Sequence, residues 1–161
     1  MLFRSDTTAP TFTLEQGAAQ ADPAKSSPIV FTLTGSEALA GGSVSSADFD
    51  VVNGTVSAIS CSGSACTVSV TPAGQGLVSI AAATGFSVTD VAGNAGSSVG
   101  STDAAVTYDS VAPTLTLRQA MSQPDPTTGA SIRFRLVSSE TLDTATVTGA
   151  DFTIGNGSID S

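Results

Sequence analysis

The chain of 161 residues contains no histidine and no tryptophan. Without histidine, neither a Ser-His-Asp triad nor a Cys-His pair can be assembled. Two carboxylates could serve a glycosidase, but the acidic residues fall in predicted turns and at strand ends, where no cleft is implied. Tryptophan, the usual platform for sugar rings, is missing as well. The composition therefore predicts a protein that is not an enzyme.

Positive charge is also scarce. The chain has 5 lysines and arginines against 14 acidic residues, which gives a formal net charge of −9. Such a surface repels nucleic acid and anionic membranes, so neither is an expected partner. It attracts divalent cations, although an acidic surface also keeps a secreted protein soluble. Both interpretations of the charge remain open at this level.

Long apolar runs are absent, and the first five residues, MLFRS, resemble neither a signal peptide nor a membrane span. We treat residues 1–5 as an N-terminal extension and expect no membrane insertion. This absence does not fix the location of the protein, because an internal fragment would carry no targeting signal.

The abundant residues are Ser, Thr, Val, Ala and Gly, arranged in short alternating runs. This pattern is typical of strands separated by turns, and no window supports an amphipathic helix of useful length. The predicted strands span residues 11–14, 29–34, 49–52, 55–61, 66–71, 77–83 and 104–108. Seven short strands predict an all-β fold, a β-sandwich of the immunoglobulin or fibronectin-III type.

Several connections can be predicted as well. Asn53-Gly54 tolerates positive φ and predicts a hairpin between strands 49–52 and 55–61. The tetrapeptide SGSA predicts a second hairpin. Strand 77–83, rich in small apolar residues, is expected to be buried on both faces, and residues 84–103 are expected to form a long loop.

One segment of the sequence occurs twice, at a constant offset of 103 residues. DTTAPTFTL begins at Asp6 and DSVAPTLTL begins at Asp109. Without a gap, about 22 of the roughly 53 aligned positions are identical, which chance does not give at one fixed offset. We therefore predict a tandem repeat with a complete unit at residues 6–108 and the N-terminal half of a second unit at residues 109–161. We expect the half unit not to fold alone, because half of its core is missing.

Seven strands of alternating direction begin and end at opposite poles of a sandwich. The chain then enters the first unit near Asp6 and leaves near Asp109, so that neighbouring repeats would stack end to end into a rod. The same alternation predicts an entry pole with Asp6, the segment 37–48, the SGSA hairpin and the loop 89–94. It predicts an exit pole with the loops at Asp22, Asn53 and Pro72.

The entry pole gathers oxygen ligands without histidine or thiolate, which suits Ca²⁺ rather than zinc or iron. The candidate ligands of the first unit are Asp6, Glu37, Asp48, Asp90 and Asn94. The second copy repeats three of them as Asp109, Glu140 and Asp151, which would face the exit pole of the first unit. Calcium at this junction would stiffen the rod. The alternative is that Asp90 and Asn94 only form a tight turn and Asp6 caps the linker.

Cys61 and Cys66 flank the SGSA loop at the ends of two predicted paired strands. Directly opposed strand positions lie close enough for a disulfide with modest closure. We predict a hairpin disulfide, which implies an oxidising compartment. Two reduced thiols or half of a metal site are the alternatives, and zinc is disfavoured without further cysteine or histidine.

In order and spacing, these motifs resemble the bacterial Ig-like repeats of very large secreted adhesins and biofilm-associated surface proteins. The matching residues are Asp6, Ala9 and Pro10, then Ser36 and Glu37, then Ala47 to Phe49 with Asn53 and Gly54, then Thr89, Asp90 and Ala92 to Asn94, and finally Tyr108 and Asp109. The resemblance implies a sandwich fold, an extracellular or cell-surface location, and a role as a stalk whose partners are neighbouring repeats. It also implies Ca²⁺ at inter-repeat junctions, as in some related repeats.

A second interpretation is an extracellular binding module, for a glycan or a host protein, or an accessory domain of a secreted glycoside hydrolase. Few residues support this interpretation, because the chain has few aromatic residues for binding contacts. Four of them fall at predicted core positions: Phe12, Phe31, Phe49 and Phe134. Phe86 and Tyr108 are the only candidates for exposed aromatic contacts.

Overall fold

The structure, a computed structural model, describes residues 5–160, and residues 1–4 and 161 lie outside the described part. The described chain divides into two compact units, residues 5–110 and 111–160. It contains twelve strands and three short 3-10 helices, and no α-helix occurs within residues 5–160. The strands are β1 Phe12–Gln16, β2 Ile29–Gly35, β3 Phe49–Val52, β4 Gly54–Ser62, β5 Ala65–Pro72, β6 Gly76–Ala82, β7 Val88–Thr89, β8 Ala95–Gly96, β9 Val99–Gly100, β10 Ala105–Tyr108, β11 Leu115–Gln119 and β12 Phe134–Ser138. The 3-10 helices span Ser46–Asp48, Thr144–Thr146 and Gly149–Asp151.

The first unit is a sandwich of two main sheets. One has the order β4-β5-β2-β1-β9, and the other has the order β10-β6-β3. All neighbours are antiparallel except β1 and β9, and β7 pairs with β8 in a small separate ribbon. The predicted all-β, immunoglobulin-like β-sandwich is confirmed.

The core follows from the period-2 alternation of each strand, since successive side chains point to opposite faces. The fully buried residues of β2 are Ile29, Phe31 and Leu33. Those of β5 are Cys66, Val68 and Val70. The expectation that strand 77–83 is buried on both faces was wrong. Only Val78 and Ile80 of β6 are buried, because the other face of this three-stranded sheet lies open to solvent.

The predicted hairpin at Asn53-Gly54 was also wrong. Strand β3 before it pairs with β6, whereas β4 after it pairs with β5, so the chain crosses here from one sheet to the other. Asn53 has the positive φ that the sequence indicated, at 56°, and its side-chain amide donates to the carbonyl of Gly74 at 3.0 Å. The sequence Asn53-Gly54 therefore predicts the backbone turn correctly, but it does not indicate which strands pair.

Two smaller predictions also change. Ser62 pairs with Ala65, so the turn within SGSA comprises only Gly63 and Ser64. The predicted loop 84–103 contains the short strands β7, β8 and β9. These strands have two residues each and too few alternations to stand out from a loop.

The register places the entry and the exit of the first unit at opposite ends. Phe12, the first residue of β1, lies opposite Gly35. At the other end, Tyr108 of β10 lies opposite Gly76 and bridges to Ala24. The backbone amide of Asp109 then donates to the carbonyl of Ala24 at 2.8 Å.

The second unit repeats local details of the first unit. Strands β11 and β12 are antiparallel, and Leu115 lies opposite Ser138 just as Phe12 lies opposite Gly35. Two side-chain hydrogen bonds recur at an offset of 103 residues. The backbone amide of Thr11 donates to the hydroxyl of Ser36, and that of Thr114 donates to the hydroxyl of Ser139. Likewise, the amide of Val30 donates to the side-chain oxygen of Gln20, and that of Arg133 donates to the side-chain oxygen of Gln123. The capping box of Ser45 and Asp48 recurs as Thr148 and Asp151.

Burial, however, does not recur. Phe134 was predicted to be a core residue, and it is 59% exposed, whereas its counterpart Phe31 is 0% exposed. The second unit has strands matching β1 and β2 but, within residues 111–160, no strands matching β5, β6 and β10, which are the strands that bury Phe31 in the first unit. Arginines stand between its apolar residues, and Arg118 lies directly opposite Arg135.

Candidate cation site

The turn between β7 and β8 is built by hydrogen bonds between Asp90 and Asn94. One carboxylate oxygen of Asp90 accepts from the backbone amide of Asn94 at 2.8 Å, and the other accepts from its side-chain amide at 2.8 Å. Between them, Gly93 has a φ of 92°, a conformation that glycine adopts without the penalty a β-carbon imposes. The turn-forming role considered for these two residues is therefore present, and it fixes where the Asp90 carboxylate lies.

Two further carboxylates approach this turn from other parts of the chain. The side chain of Asn94 donates to the carbonyl of Asp6 at 3.3 Å, which ties the entering segment to the turn. Glu37 follows β2, and next to it the carbonyl of Ala38 accepts from the amide of Val91 at 3.2 Å. Carboxylate oxygens of Asp6, Glu37 and Asp90 consequently lie within 4.8 Å of one another. We call this group the acidic cluster.

The acidic cluster has a graded exposure. Asp90 is 2% exposed, Glu37 is partly buried, and Asp6 is exposed. The three side chains line a depression together with Ala38, Val91 and Ala92. One carboxylate thus forms the buried floor, while the other two stand at the rim.

The ionisation of the acidic cluster reflects this arrangement. Partial burial raises the pKa of Glu37, and the nearby charges of Asp6 and Asp90 raise it further. Burial also acts to raise the pKa of Asp90, but the hydrogen bonds from Asn94, Gly93 and Ala92 outweigh burial and hold it below its ordinary value. Asp90 is therefore stabilised as an anion. The ionisation of Glu37 is instead disfavoured by burial and by the two neighbouring carboxylates.

The remaining predicted ligands lie elsewhere. Asp48 accepts hydrogen bonds from the amide and the hydroxyl of Ser45, and Asp151 does the same with Thr148. Asp109 follows β10 at the other end of the first unit, and Glu140 follows β12 in the second unit. Within residues 5–160, the acidic cluster is the only set of three or more potential ligand side chains that converge.

Chemically, three carboxylates with no nitrogen or sulfur ligand suit a hard cation. Ca²⁺ takes six to eight oxygen ligands at flexible angles, and carboxylates, backbone carbonyls and water all serve. A cation here would remove the repulsion that raises the pKa of Glu37. What the sequence did not reveal is the bridge between Leu39 and Asp90, which brings Glu37 to the turn. The alternation of strands indicated the common pole but not this backbone pairing.

The two cysteines form a disulfide in the structure. Cys61 and Cys66 lie directly opposite each other on β4 and β5, with their Cα atoms 4.0 Å apart. Both sulfur atoms are joined in this bond, so neither cysteine is available as a thiolate ligand for a metal.

The candidate aromatic contacts do not form an exposed binding face. Phe86 was expected to be available for contacts, but it is 6% exposed and packs edge-to-face on Phe12, with ring centroids 5.2 Å apart. The connection 83–88 folds over the end of the core, and Phe86 fills the space there. Tyr108 is partly buried against the core as well.

Within the described residues, no helix has the length and apolar character needed to span a membrane. No curated protein and no solved structure matches the chain. The family model of the bacterial Ig-like domain matches residues 6–107, which is nearly all of the first unit and more than half of the chain. This family consists of structural domains rather than enzymes. With the sandwich, the matched span and the motifs in agreement, the chain belongs to the bacterial Ig-like domain family.

Proposed function

We propose that this protein is a spacer segment of a bacterial surface or secreted adhesin, in which Ig-like repeats stack end to end into a rod. The observation that carries the proposal is the position of the chain ends of the first unit. The chain enters beside the acidic cluster and leaves beside Ala24 and Gly76, at the opposite end. Units with opposed ends extend a chain, because each unit adds its own length.

The surface of the first unit supports a spacer rather than an enzyme or a nucleic-acid partner. No exposed aromatic patch is present within residues 5–110, and the acidic net charge opposes anionic partners. An extracellular location agrees with the family and with the disulfide, since disulfides persist in oxidising compartments. Adhesion itself and a role in biofilms are part of the proposal.

We further propose that the acidic cluster binds Ca²⁺ and thereby stiffens the entry to the unit. Asp6 belongs to the entering segment, while Glu37 and Asp90 belong to the folded sandwich. A cation shared by all three would fix the entering segment on the sandwich. An unbridged linker, in contrast, leaves neighbouring domains free to move.

Thermal unfolding of the full chain with excess Ca²⁺ and with chelator tests this proposal. A ligand that binds only the folded state stabilises it by about 2.7 kcal/mol at a hundredfold excess over Kd. We expect Ca²⁺ to raise the midpoint of the first unit by several degrees, and Glu37→Gln to abolish the increase. Asp50→Asn removes one exposed carboxylate outside the cluster and should retain it.

The two parts of the proposal can fail separately. Overlapping curves at millimolar Ca²⁺ would eliminate the cation and leave a plain spacer whose acidity serves solubility. A parent gene in which this segment adjoins a catalytic domain, instead of many similar repeats, would eliminate the spacer role and favour an accessory module.

A further inference from the structure

The outer edge of β4 is long and carries no charge. Strand β4 has nine residues and lies at one end of the sheet β4-β5-β2-β1-β9, so among residues 5–160 no strand pairs with its other side. Its sequence, GTVSAISCS, contains neither a charged residue nor proline. Such an edge presents a row of backbone N–H and C=O groups that can pair with another strand. We call it the β4 edge.

The other edges of the two main sheets have the protection that native proteins use against strand pairing. Strand β9, at the far end of the same sheet, has only two residues. Strand β3 has four residues and carries the exposed Asp50. Strand β10 is covered by the segment before β2, because the amide of Ala24 donates to the carbonyl of Thr107 and Asp22 accepts from the amide of Thr107. Of these four edges, only the β4 edge is both long and uncharged.

A β-bulge between Val56 and Ala58 disturbs only the first part of β4. From Ala58 to Ser62, the strand pairs with β5 in an unbroken register, and the disulfide between Cys61 and Cys66 ties its end to that strand. The segment 58–62 is therefore a regular and anchored edge. A surface that is already ordered loses little conformational freedom when it binds.

The distribution of charge favours a second copy of this chain as the partner. Residues 51–89, which include β4, β5 and β6, contain no Asp, Glu, Lys or Arg. Every charged residue of a chain with a net charge of −9 thus lies in other segments. Two copies of an acidic chain repel each other. Two β4 edges, however, can meet without placing like charges opposite each other.

The side chains of the β4 edge are also complementary to themselves. Ala58, Ser60 and Ser62 are exposed and small. In an antiparallel pair related by a two-fold axis, Ser60 would lie opposite Ser60 of the second copy, and Ala58 would lie opposite Ser62. Small side chains leave room for two backbones to approach, and a hydroxyl group both donates and accepts hydrogen bonds. Such a two-fold contact uses the same surface on both copies.

We propose that the β4 edge binds the β4 edge of a second copy of this chain. The two strands pair in antiparallel orientation over residues 58–62 with Ser60 at the centre, so that two five-stranded sheets join into one. This inference does not depend on calcium or on the spacer role.

The position of β4 determines how the two copies are joined. Ser64, just after β4, accepts from the amide of Gly35 at the entry end of the unit, whereas Gly54 begins β4 at the other end, opposite Pro72. The β4 edge therefore runs along the side of the unit. Pairing there joins two chains side by side and leaves both ends of the first unit free.

Sedimentation equilibrium of the full chain at increasing concentration tests the proposal. The monomer has a mass of 15.8 kDa, and we expect the average mass to rise toward twice this value. Added salt should strengthen the dimer, because it screens the repulsion between two acidic chains. When nine-tenths of the chain is dimeric, exchange of the outward amides of residues 58–62, measured by NMR, should slow by about tenfold, since only the monomer exposes them. Amides of β3 should exchange as before.

Ser60→Lys is the variant that addresses the contact. It places two like charges opposite each other at the centre of the pair and should raise the dissociation constant by at least about tenfold. Thr13→Lys is the matched control, because it makes the same change of charge at an exposed position of β1 in the same sheet. This control should form the dimer as readily as the parent chain.

Two results would overturn the proposal. One is a parent chain that stays monomeric at millimolar concentration in high salt. The other is a dimer that Ser60→Lys and Thr13→Lys weaken equally, with unchanged exchange at residues 58–62, because another surface would then hold the copies together.

Discussion

At the scale of single residues, the pKa values of two carboxyl groups in the acidic cluster shift in opposite directions, down for Asp90 and up for Glu37. Asp90 is buried but receives hydrogen bonds from the side chain and backbone of the turn that it forms, and these hydrogen bonds stabilise its charge. Glu37 has a raised pKa, because burial and two neighbouring carboxylates oppose its ionisation. The two acids should therefore contribute to stability with opposite dependence on pH.

The first prediction concerns this pH dependence in the absence of divalent cations. Because the pKa of Glu37 is higher in the folded state, its ionisation costs stability as pH rises through and above that pKa, and the cost is relieved at acidic pH. Glu37→Gln should raise the unfolding midpoint at pH 7 and give no gain below the ordinary glutamate range. Asp90 acts in the opposite sense, since its contribution is present at neutral pH and is lost as pH falls through its lowered pKa.

Thermal unfolding at pH 7 and at pH 4 with chelator checks this prediction. Asp50→Asn is the control, because it removes the same charge at an exposed position of β3 outside the cluster. If Glu37→Gln shifted the midpoint equally at both pH values, the proximity of the three carboxylates would have no electrostatic consequence.

At the scale of elements, the short strands β8 and β9 hold the entering segment against the sandwich. Strand β9 pairs in parallel with β1, and the amide of Phe12 donates to the carbonyl of Ser98 at 2.9 Å. Gly96 of β8 lies so close to the backbone of Pro10 that an added β-carbon would overlap its carbonyl oxygen. Glycine is required there for close approach of two backbones.

The second prediction follows from this contact. Gly96→Ala should reduce the free energy of unfolding of the first unit by about 3 kcal/mol, because neither backbone segment can move aside without breaking other contacts. Gly100→Ala in β9 is the matched control, since a β-carbon there meets its nearest atom only at 3.9 Å. Urea unfolding of both variants measures the difference, and equal midpoints would contradict the close packing of β8 on Pro10.

The third prediction concerns the β4–β5 hairpin and its disulfide. Cys61 and Cys66 are only five residues apart, so the disulfide restricts the unfolded chain little. Reduction should lower the free energy of unfolding by less than about 3 kcal/mol and leave the sandwich folded. Denaturant unfolding with and without reductant checks this result, with Cys61→Ser as the control that reductant should not affect. Complete unfolding on reduction would show that the disulfide holds this sheet edge together.

The elements also show how far the sequence could predict this structure. The seven main strands could be predicted because their alternation is clear and Gly, Pro and Asn mark their ends. The pairing at Asn53 could not, because a positive φ suits a hairpin and a crossing between sheets equally well. Phe86 was misplaced for a similar reason. A single aromatic residue between turn signals has no periodicity that shows whether its loop folds over the core.

The candidate site was predictable to a similar degree. Strand alternation brought Asp6, Glu37 and Asp90 to one pole without any long-range information. It also placed Asp48 there, although this residue uses its carboxylate locally to cap a 3-10 turn. Short-range capping competes with ligation for the same oxygens, and a spacing pattern does not show which prevails.

At the scale of the whole molecule, two units carry the same inward pattern with opposite burial. Leu14 is 1% exposed and Leu117 is 53% exposed, although both occupy the third position of the first strand in their unit. The hydrophobic pattern alone does not create a core, since burial also requires a covering sheet.

The fourth prediction uses this matched pair. Leu14→Ala should cost about 2–5 kcal/mol of stability, because it leaves a cavity in a packed core. Leu117→Ala should change stability by about 0.5 kcal/mol or less, as for other exposed positions. Chemical denaturation of both variants in the full chain measures the contrast. A comparable loss for Leu117→Ala would mean that its face is packed in solution.

The position of the arginines in the second unit matters while the chain is being synthesised. A ribosome delivers a chain from its N-terminus, so the first half of a repeat emerges before the half that covers it. At about 5–20 residues per second, the wait for roughly fifty residues lasts on the order of 3–10 s. During that interval, exposed strands can pair with those of other chains.

Arg118, Arg133 and Arg135 alternate with the exposed apolar residues, and such charges act as gatekeepers against pairing of this kind. Three of the five basic residues in this acidic chain thus stand among the exposed apolar residues of the second unit, where pairing with other chains would be most hazardous.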